Sequence, residues 1–222
     1  MTPQTRLVEV RTRVLKQNDV VARALRERFQ ESGSFVVSLV SSPGAGKTLL
    51  LEATLRAFRD RCRVAALVGD LETDNDARRL ARTGVPIRQI NTGTVCHLEA
   101  EMVRQALSDW SIGPIDILFL ENVGNLVCPA TYDLGEQLRA VVFSVTEGED
   151  KPLKYPTILH TADLAIISKI DLAAAAEFDR SAARANLRAV RHDLPILELS
   201  AKTGAGMEAW LTLIEKRRAM CV

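Results

Sequence analysis

The stretch SSPGAGKT, Ser41 to Thr48, decides the fold. It follows the apolar run FVVSLV (Phe35–Val40) and leads into the helical pattern LLLEATLRAF (Leu49–Phe58). Strand, glycine-rich loop and helix in that order are what a phosphate cradle needs. Gly44 and Gly46 let backbone N–H groups approach phosphate oxygens, and the helix N-terminus adds a favourable dipole. In this register Lys47 reaches the β- and γ-phosphates and the Thr48 hydroxyl ligates Mg²⁺, with Ala45 and Leu49 completing the nucleotide-binding set. Ser41 stands where the usual pattern begins with glycine, and the core GxGK(S/T) is intact.

Outward from this loop, short apolar runs alternate with helical segments. Phe35–Val40, Val64–Gly69, Asp116–Glu121, Val141–Val145, Leu164–Ser168 and Pro195–Leu199 read as strands, and Pro86–Ile90 as a weaker one. Several are apolar on both parities, which suits a sheet covered on both faces. Leu98–Trp110 and Ala175–Val190 are amphipathic. The alternation predicts an α/β fold with a doubly wound, mostly parallel sheet, of the P-loop NTPase kind. Before it, Leu7, Val10, Val14, Val21, Leu25 and Phe29 recur at helical spacing. Residues 1–33 are therefore expected to be an N-terminal helical extension, with Asn18-Asp19 a candidate break and Gly33 a candidate stop. Residues 34–222 are expected to form the nucleotide-binding domain.

A phosphate loop needs acids at neighbouring strand ends to hold Mg²⁺ and orient water. Asp70 ends VAALVGD and Glu121 ends DILFLE; a solvated strand-end carboxylate is the plainer but weaker reading of each. With Lys47, they are the candidate catalytic residues. Gly124, three residues past Glu121, can offer its N–H to a γ-phosphate without a side chain in the way. DLETDNDARR, from Asp70, has the polar, charge-rich character of a mobile switch.

Strand Leu164–Ser168 continues into Lys169-Ile170-Asp171. An aspartate there can accept from guanine N1–H and N2–H₂, which adenine does not offer, and unpaired buried groups make such discrimination large. Ser200-Ala201-Lys202 follows a later strand, where a backbone N–H can meet guanine O6. Ser168 occupies the place where most guanine-binding proteins have asparagine, and its shorter hydroxyl is expected to weaken nucleotide affinity.

Cys96 and His97 sit side by side in TGTVCHLEAEM, and Cys128 follows Gly124 in NVGNLVCP. Adjacent residues do not share a helix face, so the pair makes sense at a helix entrance. Both loops are expected to open at the sheet's C-terminal edge, where ligands bind in open α/β folds. A buried inert thiol is the ordinary fate of free cysteine; two cysteines and a histidine converging there make a metal site the sharper reading. Such a set suits Zn²⁺, while tetragonal geometry would suit Ni²⁺ or Cu²⁺. Cys62, Cys221, His160 and His192 lack such company. Lys154, in KPLKYP, can contact phosphate, an opposite subunit or solvent.

The bulk properties fit a single globular domain. Of 222 residues, 47% are apolar and 26% charged, with a net charge of +1 that argues for neither nucleic acid nor an anionic membrane as partner. No apolar run reaches the ~18 residues of a membrane span. Four sparse cysteines make no disulfide framework, so a cytoplasmic, reduced chain is expected.

Taken together, SSPGAGKT, GDLETDNDA, NTGTVCHLEAEM, ENVGNLVCP, EGEDKPLKYP and SKIDL resemble HypB, the hydrogenase nickel-incorporation GTPases of the SIMIBI class. The urease accessory GTPases are relatives but carry Cys-Pro-His, whereas here Cys96 meets His97 directly. The resemblance implies GTP/GDP, Mg²⁺ and Ni²⁺ or Zn²⁺ as ligands, with the metal at Cys96, His97 and Cys128. It further implies slow hydrolysis, a GTP-promoted homodimer and a HypA-type nickel protein as partner. The client would be the large-subunit precursor of a nickel–iron (NiFe) hydrogenase. Neither a CxxCGC-type cluster nor a histidine-rich tract occurs near the N-terminus, so nickel traffic would rest on the GTPase-domain site. No lysine stands at Ser42, which leaves a signature-lysine mechanism unsupported. Two rivals remain: a GTPase chaperone for another metal enzyme such as urease, and a dimeric zinc or nickel carrier with vestigial hydrolysis.

Overall fold

A computed structural model describes residues 3–71 and 74–221, with side chains from residue 12 onward. Its centre is a seven-stranded sheet: β1 (Phe35–Ser41), β2 (Val64–Asp70), β3 (Ile87–Asn91), β4 (Ile117–Glu121), β5 (Leu138–Ser144), β6 (Leu164–Ser168) and β7 (Ile196–Glu198). The order is β3-β2-β4-β1-β5-β6-β7, and every pairing is parallel. All seven residues of β1 are buried, as a central strand covered on both faces must be. One face carries α2 (Lys47–Phe58), α3 (Asn75–Ala81) and α8 (Met207–Ala219), packing Leu50, Leu55, Leu80 and Trp210 against Phe35, Val37 and Leu39. The opposite face carries α1 (Pro3–Glu31) and α4 (Ala100–Ser108) near β2 and β4, and α6 (Pro156–Thr161) with α7 (Arg180–Val190) near β5 and β6. The short α5 is Lys151–Lys154. No helix among the described residues is long and apolar enough to cross a membrane.

Two expectations change. Asn18-Asp19 does not break the N-terminal helix, which runs unbroken from Pro3 to Glu31. Asn18 is buried and bonded to other elements, so its polarity marks docking rather than a stop. Gly33 does end the helix, at φ +66, with the Ser34 N–H reaching back to Phe29 O in a Schellman closure. The fifth strand starts at Leu138, three residues before its apolar run. Arg139 hides that start: it is buried because its guanidinium meets Glu136 Oε1 at 2.7 Å, Tyr132 O at 2.6 Å and Thr161 Oγ1 at 3.1 Å.

Candidate functional site

The loop between β1 and α2 opens at the C-terminal edge of the sheet, between the ends of β4 and β5. Gly44 and Gly46 both have positive φ, which curves the backbone into the cradle expected of them. Lys47 is buried, and its Nζ donates to Ser41 Oγ at 2.9 Å. Burial pulls its pKa down, and the Glu121 carboxylate partly restores it. Thr48 Oγ1 donates to Glu121 Oε1 at 2.7 Å, so the two residues expected to hold Mg²⁺ already touch. Glu121 is 2% exposed and its Oε2 has no hydrogen-bond partner. Burial pushes its carboxyl up to about 7, against the pull of Lys47 and Thr48. An orphaned buried carboxylate oxygen facing a phosphate cradle is what a divalent cation would satisfy.

Asp70, Gly124, Gly44, Lys47, Thr48 and Leu49 line one cavity. Asp76 and Arg79 line it too; the sequence reading missed both, although they belong to the same charge-rich segment. Glu72 and Thr73 of that segment lie outside the described residues. A Cβ on Gly124 would meet Pro43 Cα at 3.0 Å, so this glycine lets the segment after β4 lie against the phosphate loop.

A second cavity continues from Gly46 and Leu49 and is lined by Ser168, Lys169, Asp171 and Ser200-Ala201-Lys202. The structure thus brings the expected base-recognition residues together. Ser168 is more useful than its length suggested: its hydroxyl is 2.7 Å from Ala45 O and 3.2 Å from Phe143 O, tying the base loop to the phosphate loop. Lys169 Nζ donates to Gly44 O at 2.6 Å. Lys154 is solvent-exposed, paired with Asp150 at 2.6 Å, and does not line the phosphate cavity. Ser42 donates to Glu147, which also pairs with Lys151, a connection the sequence did not reveal.

Cys96, His97 and Cys128 converge, with their ligand atoms all within 4.8 Å of one another. Cys96 and His97 lie in the non-helical segment before α4, and Cys128 opens a single 3₁₀ turn, Cys128–Thr131. The thiols touch, Sγ to Sγ 2.7 Å, and the contact and burial together push the Cys96 thiol up. His97 is 8% exposed, and neither ring nitrogen makes a hydrogen bond. Its Nε2 lies 3.4 Å from Glu99 Oε1, within ion-pair range but poorly aligned. Burial lowers the His97 pKa, with Glu99 opposing, so the neutral imidazole that ligates metals is favoured. A buried imidazole with both nitrogens unsatisfied, beside two thiols, fits a soft or borderline cation. The Tyr132 ring packs on it at 3.9 Å. Among the described residues, no other group of three such side chains forms a metal-sized cluster.

The two sites are joined. Asn122 Oδ1 accepts from Leu98 N and Val123 N, each at 2.9 Å, linking the segment after Glu121 to the one carrying Cys96 and His97. Gly69, beside Asp70, leaves room for Leu98: a Cβ there would meet Leu98 Cδ2 at 2.7 Å. These contacts join residues far apart in sequence, and the only available signal was asparagine beside a ligand-bearing strand end.

Residues 35–198 match the family described as CobW/HypB/UreG, nucleotide-binding domain. The chain is similar to the hydrogenase maturation factor HypB of Azotobacter vinelandii, 47% identical over 97% of this chain and 71% of that protein. It also resembles the crystal structure of HypB from Helicobacter pylori in complex with nickel. That match has TM-score 0.85 and 40% identity, covering 91% of this chain and 96% of the other. The fold is shared with the signal recognition particle 54 kDa protein of Aeropyrum pernix, at TM-score 0.57 and 16% identity over 84% and 49% of the two chains.

Proposed function

The chain belongs to the CobW/HypB/UreG family, among its HypB hydrogenase maturation factors, and from that premise we propose that it is a GTP-hydrolysing nickel metallochaperone. The observation that carries this reading is the buried His97 beside two touching thiols, joined through Asn122 to the end of the strand that faces the phosphate loop. In this reading residues 34–222 are the GTPase domain and residues 1–33 its extension. Gly44 to Leu49 hold the phosphates. Asp171, Lys169 and Ser200 to Lys202 hold guanine. Thr48, Asp70 and Glu121 hold Mg²⁺, which when bound offsets charge on the transferring phosphoryl group. Lys47 neutralises phosphate oxygens, and Gly124 offers its N–H to the γ-phosphate.

Nickel is cargo. Two thiolates and an imidazole leave an open coordination position, which favours exchange over permanent binding. Loading requires the thiols to lose protons, so uptake weakens as pH falls. The γ-phosphate pulls at Gly124, and Asn122 and the Cys128 turn carry that shift to the ligands. A GTP-promoted homodimer, a HypA-type donor, a nickel–iron hydrogenase precursor as recipient and a cytoplasmic setting complete the proposal.

The test is nickel and zinc titration of wild type and Cys96→Ala, with GDP and with a non-hydrolysable GTP analogue, beside GTP turnover of wild type and Lys47→Ala. Metal binding lost in Cys96→Ala and turnover lost in Lys47→Ala are expected. Unchanged metal binding in Cys96→Ala removes the site; turnover that survives Lys47→Ala removes the GTPase.

A further inference from the structure

We propose that Asn18, on the N-terminal helix, is a positioning residue for the Cys/His site, setting the spacing between the two segments that carry its ligands. The inference rests on reading Cys96, His97 and Cys128 as a metal site.

Asparagine is a poor residue for the middle of a helix, and a buried polar side chain persists there only when its hydrogen bonds are met. Asn18 is 7% exposed, and both ends of its amide are engaged. Its Oδ1 accepts from the Ala100 N–H at 2.9 Å, and its Nδ2 donates to Asp133 O at 2.8 Å. Ala100 is the first residue of α4, three after His97. The N-cap residue Glu99 makes no capping bond with its own side chain, so the orphan N–H that a helix start leaves is satisfied from α1. Asp133 follows Tyr132, whose ring packs on His97, and lies just past the turn that Cys128 opens. One amide therefore bridges both ligand segments.

The surrounding packing keeps that bridge short. Gly135 has φ +81, and a Cβ there would lie 2.8 Å from Ala22 O and 2.9 Å from Leu25 Cβ. Only glycine lets the Asp133 segment lie this close to α1. Arg26 donates to both Asp133 carboxylate oxygens at 2.7 Å, but that pair is about a third exposed and touches only one of the two segments. Of these two α1 side chains, Asn18 is the one that reaches both segments. Groups that orient metal ligands without touching the metal change affinity about 10- to 100-fold when removed.

The full chain is titrated with nickel and with zinc against a competing chromophoric chelator, and the near-ultraviolet nickel–thiolate absorption is recorded. Asn18→Ala is expected to weaken nickel binding about tenfold or more and to shift that absorption, with nucleotide affinity unchanged. Asn18→Asp keeps the acceptor for Ala100 and loses the donor to Asp133, so an intermediate loss is expected; it also serves if Asn18→Ala does not fold. Arg26→Ala loosens the helix without breaking the bridge and is expected to lower the melting temperature while sparing affinity and spectrum. The proposal is overturned if Asn18 variants bind nickel with wild-type affinity and absorption, or if Arg26→Ala weakens binding as much as Asn18→Ala does. If wild type binds no metal, or Cys96→Ala binds as wild type does, the metal-site reading itself fails, an outcome distinct from a failure of Asn18.

Discussion

The side-chain oxygen of Asn122 accepts from the Leu98 backbone N–H at 2.9 Å, so the residue after the Glu121 carboxylate holds the residue after His97. One buried amide thus belongs to the nucleotide cleft and to the Cys/His loop at once. A coupling of ~1–3 kcal/mol between the sites would change nickel affinity roughly 5- to 150-fold between nucleotide states. Asn122→Ala is expected to bring that ratio close to one. It should also lower stability by about 1–3 kcal/mol for each backbone N–H left unpaired, at Leu98 and Val123. Isothermal titration with GDP and a GTP analogue measures the ratio, and an unchanged ratio in the variant would sever the link.

Gly124 lies tightly against Pro43: a Cβ would lie 3.0 Å from Pro43 Cα, so a methyl group fits only if the two segments separate by a few tenths of an ångström. Gly124→Ala is expected to push the segment off the phosphate loop and so disturb the γ-phosphate contact more than nucleotide binding. Turnover should fall about tenfold or more with GDP affinity nearly unchanged, since a small misplacement costs the transition state most. Parallel losses in both quantities would show the glycine to be structural only.

Glu121 gives the pH dependence a definite sign. Its folded carboxyl titrates at about 7, above the ordinary 4.5, because burial disfavours the charge. Without Mg²⁺, the folded chain holds this proton more tightly than the unfolded chain does. That contribution to stability is complete below about pH 4.5 and is lost as pH rises through about 7, an effect on the order of 3 kcal/mol. Melting temperature without Mg²⁺ should therefore fall over this window in wild type, and the slope should flatten in Glu121→Gln. Affinity for the Mg²⁺–nucleotide complex should rise over the same window, because the cation needs the carboxylate. Identical melting slopes in wild type and Glu121→Gln would refute the assignment.

Ser168 and Asp171 separate affinity from base choice. Ser168→Ala leaves the Ala45 and Phe143 carbonyls without their hydroxyl partner and loosens the phosphate loop from the base loop. GTP and GDP affinity should fall by about 1–3 kcal/mol, with guanine still preferred over adenine. Asp171→Asn replaces an acceptor by an amide that complements xanthine better than guanine, so preference should move toward xanthine nucleotides. Competition binding with the three bases decides both points.

Most of the architecture was legible because parallel strands covered on both faces are written as unbroken apolar runs. Even the weak run at Pro86–Ile90 is a strand, the edge strand β3, with Ile90 its buried residue. Legibility failed where polar residues are buried by pairing. Arg139 hid the start of β5, and Asn18 looked like a helix break, because side-chain bonds such as Arg139 to Thr161 and Asn18 to Ala100 cannot be read from local polarity. The candidate site divides the same way. Residues on the phosphate and base loops follow from spacing, and the Cys96–His97–Cys128 convergence follows from two loops at one sheet edge. Asn122, Tyr132 and Ser168 acquire their positions only through contacts across the fold.

The strand order also fixes when any of this can exist during synthesis. β1 leaves the ribosome early, yet both its neighbours come late: Phe35 pairs with Ile117, and Val37 with Leu138. At translation speeds of about 5–20 residues per second, the nascent phosphate loop waits roughly 5–20 s for its flanking strands. During that interval Cys96 emerges before Cys128 and before the scaffold that brings them together. A growing chain would therefore hold at most a loose thiol and imidazole; under the proposed function, cargo would load only on finished molecules, and the nascent chain would compete poorly for scarce metal.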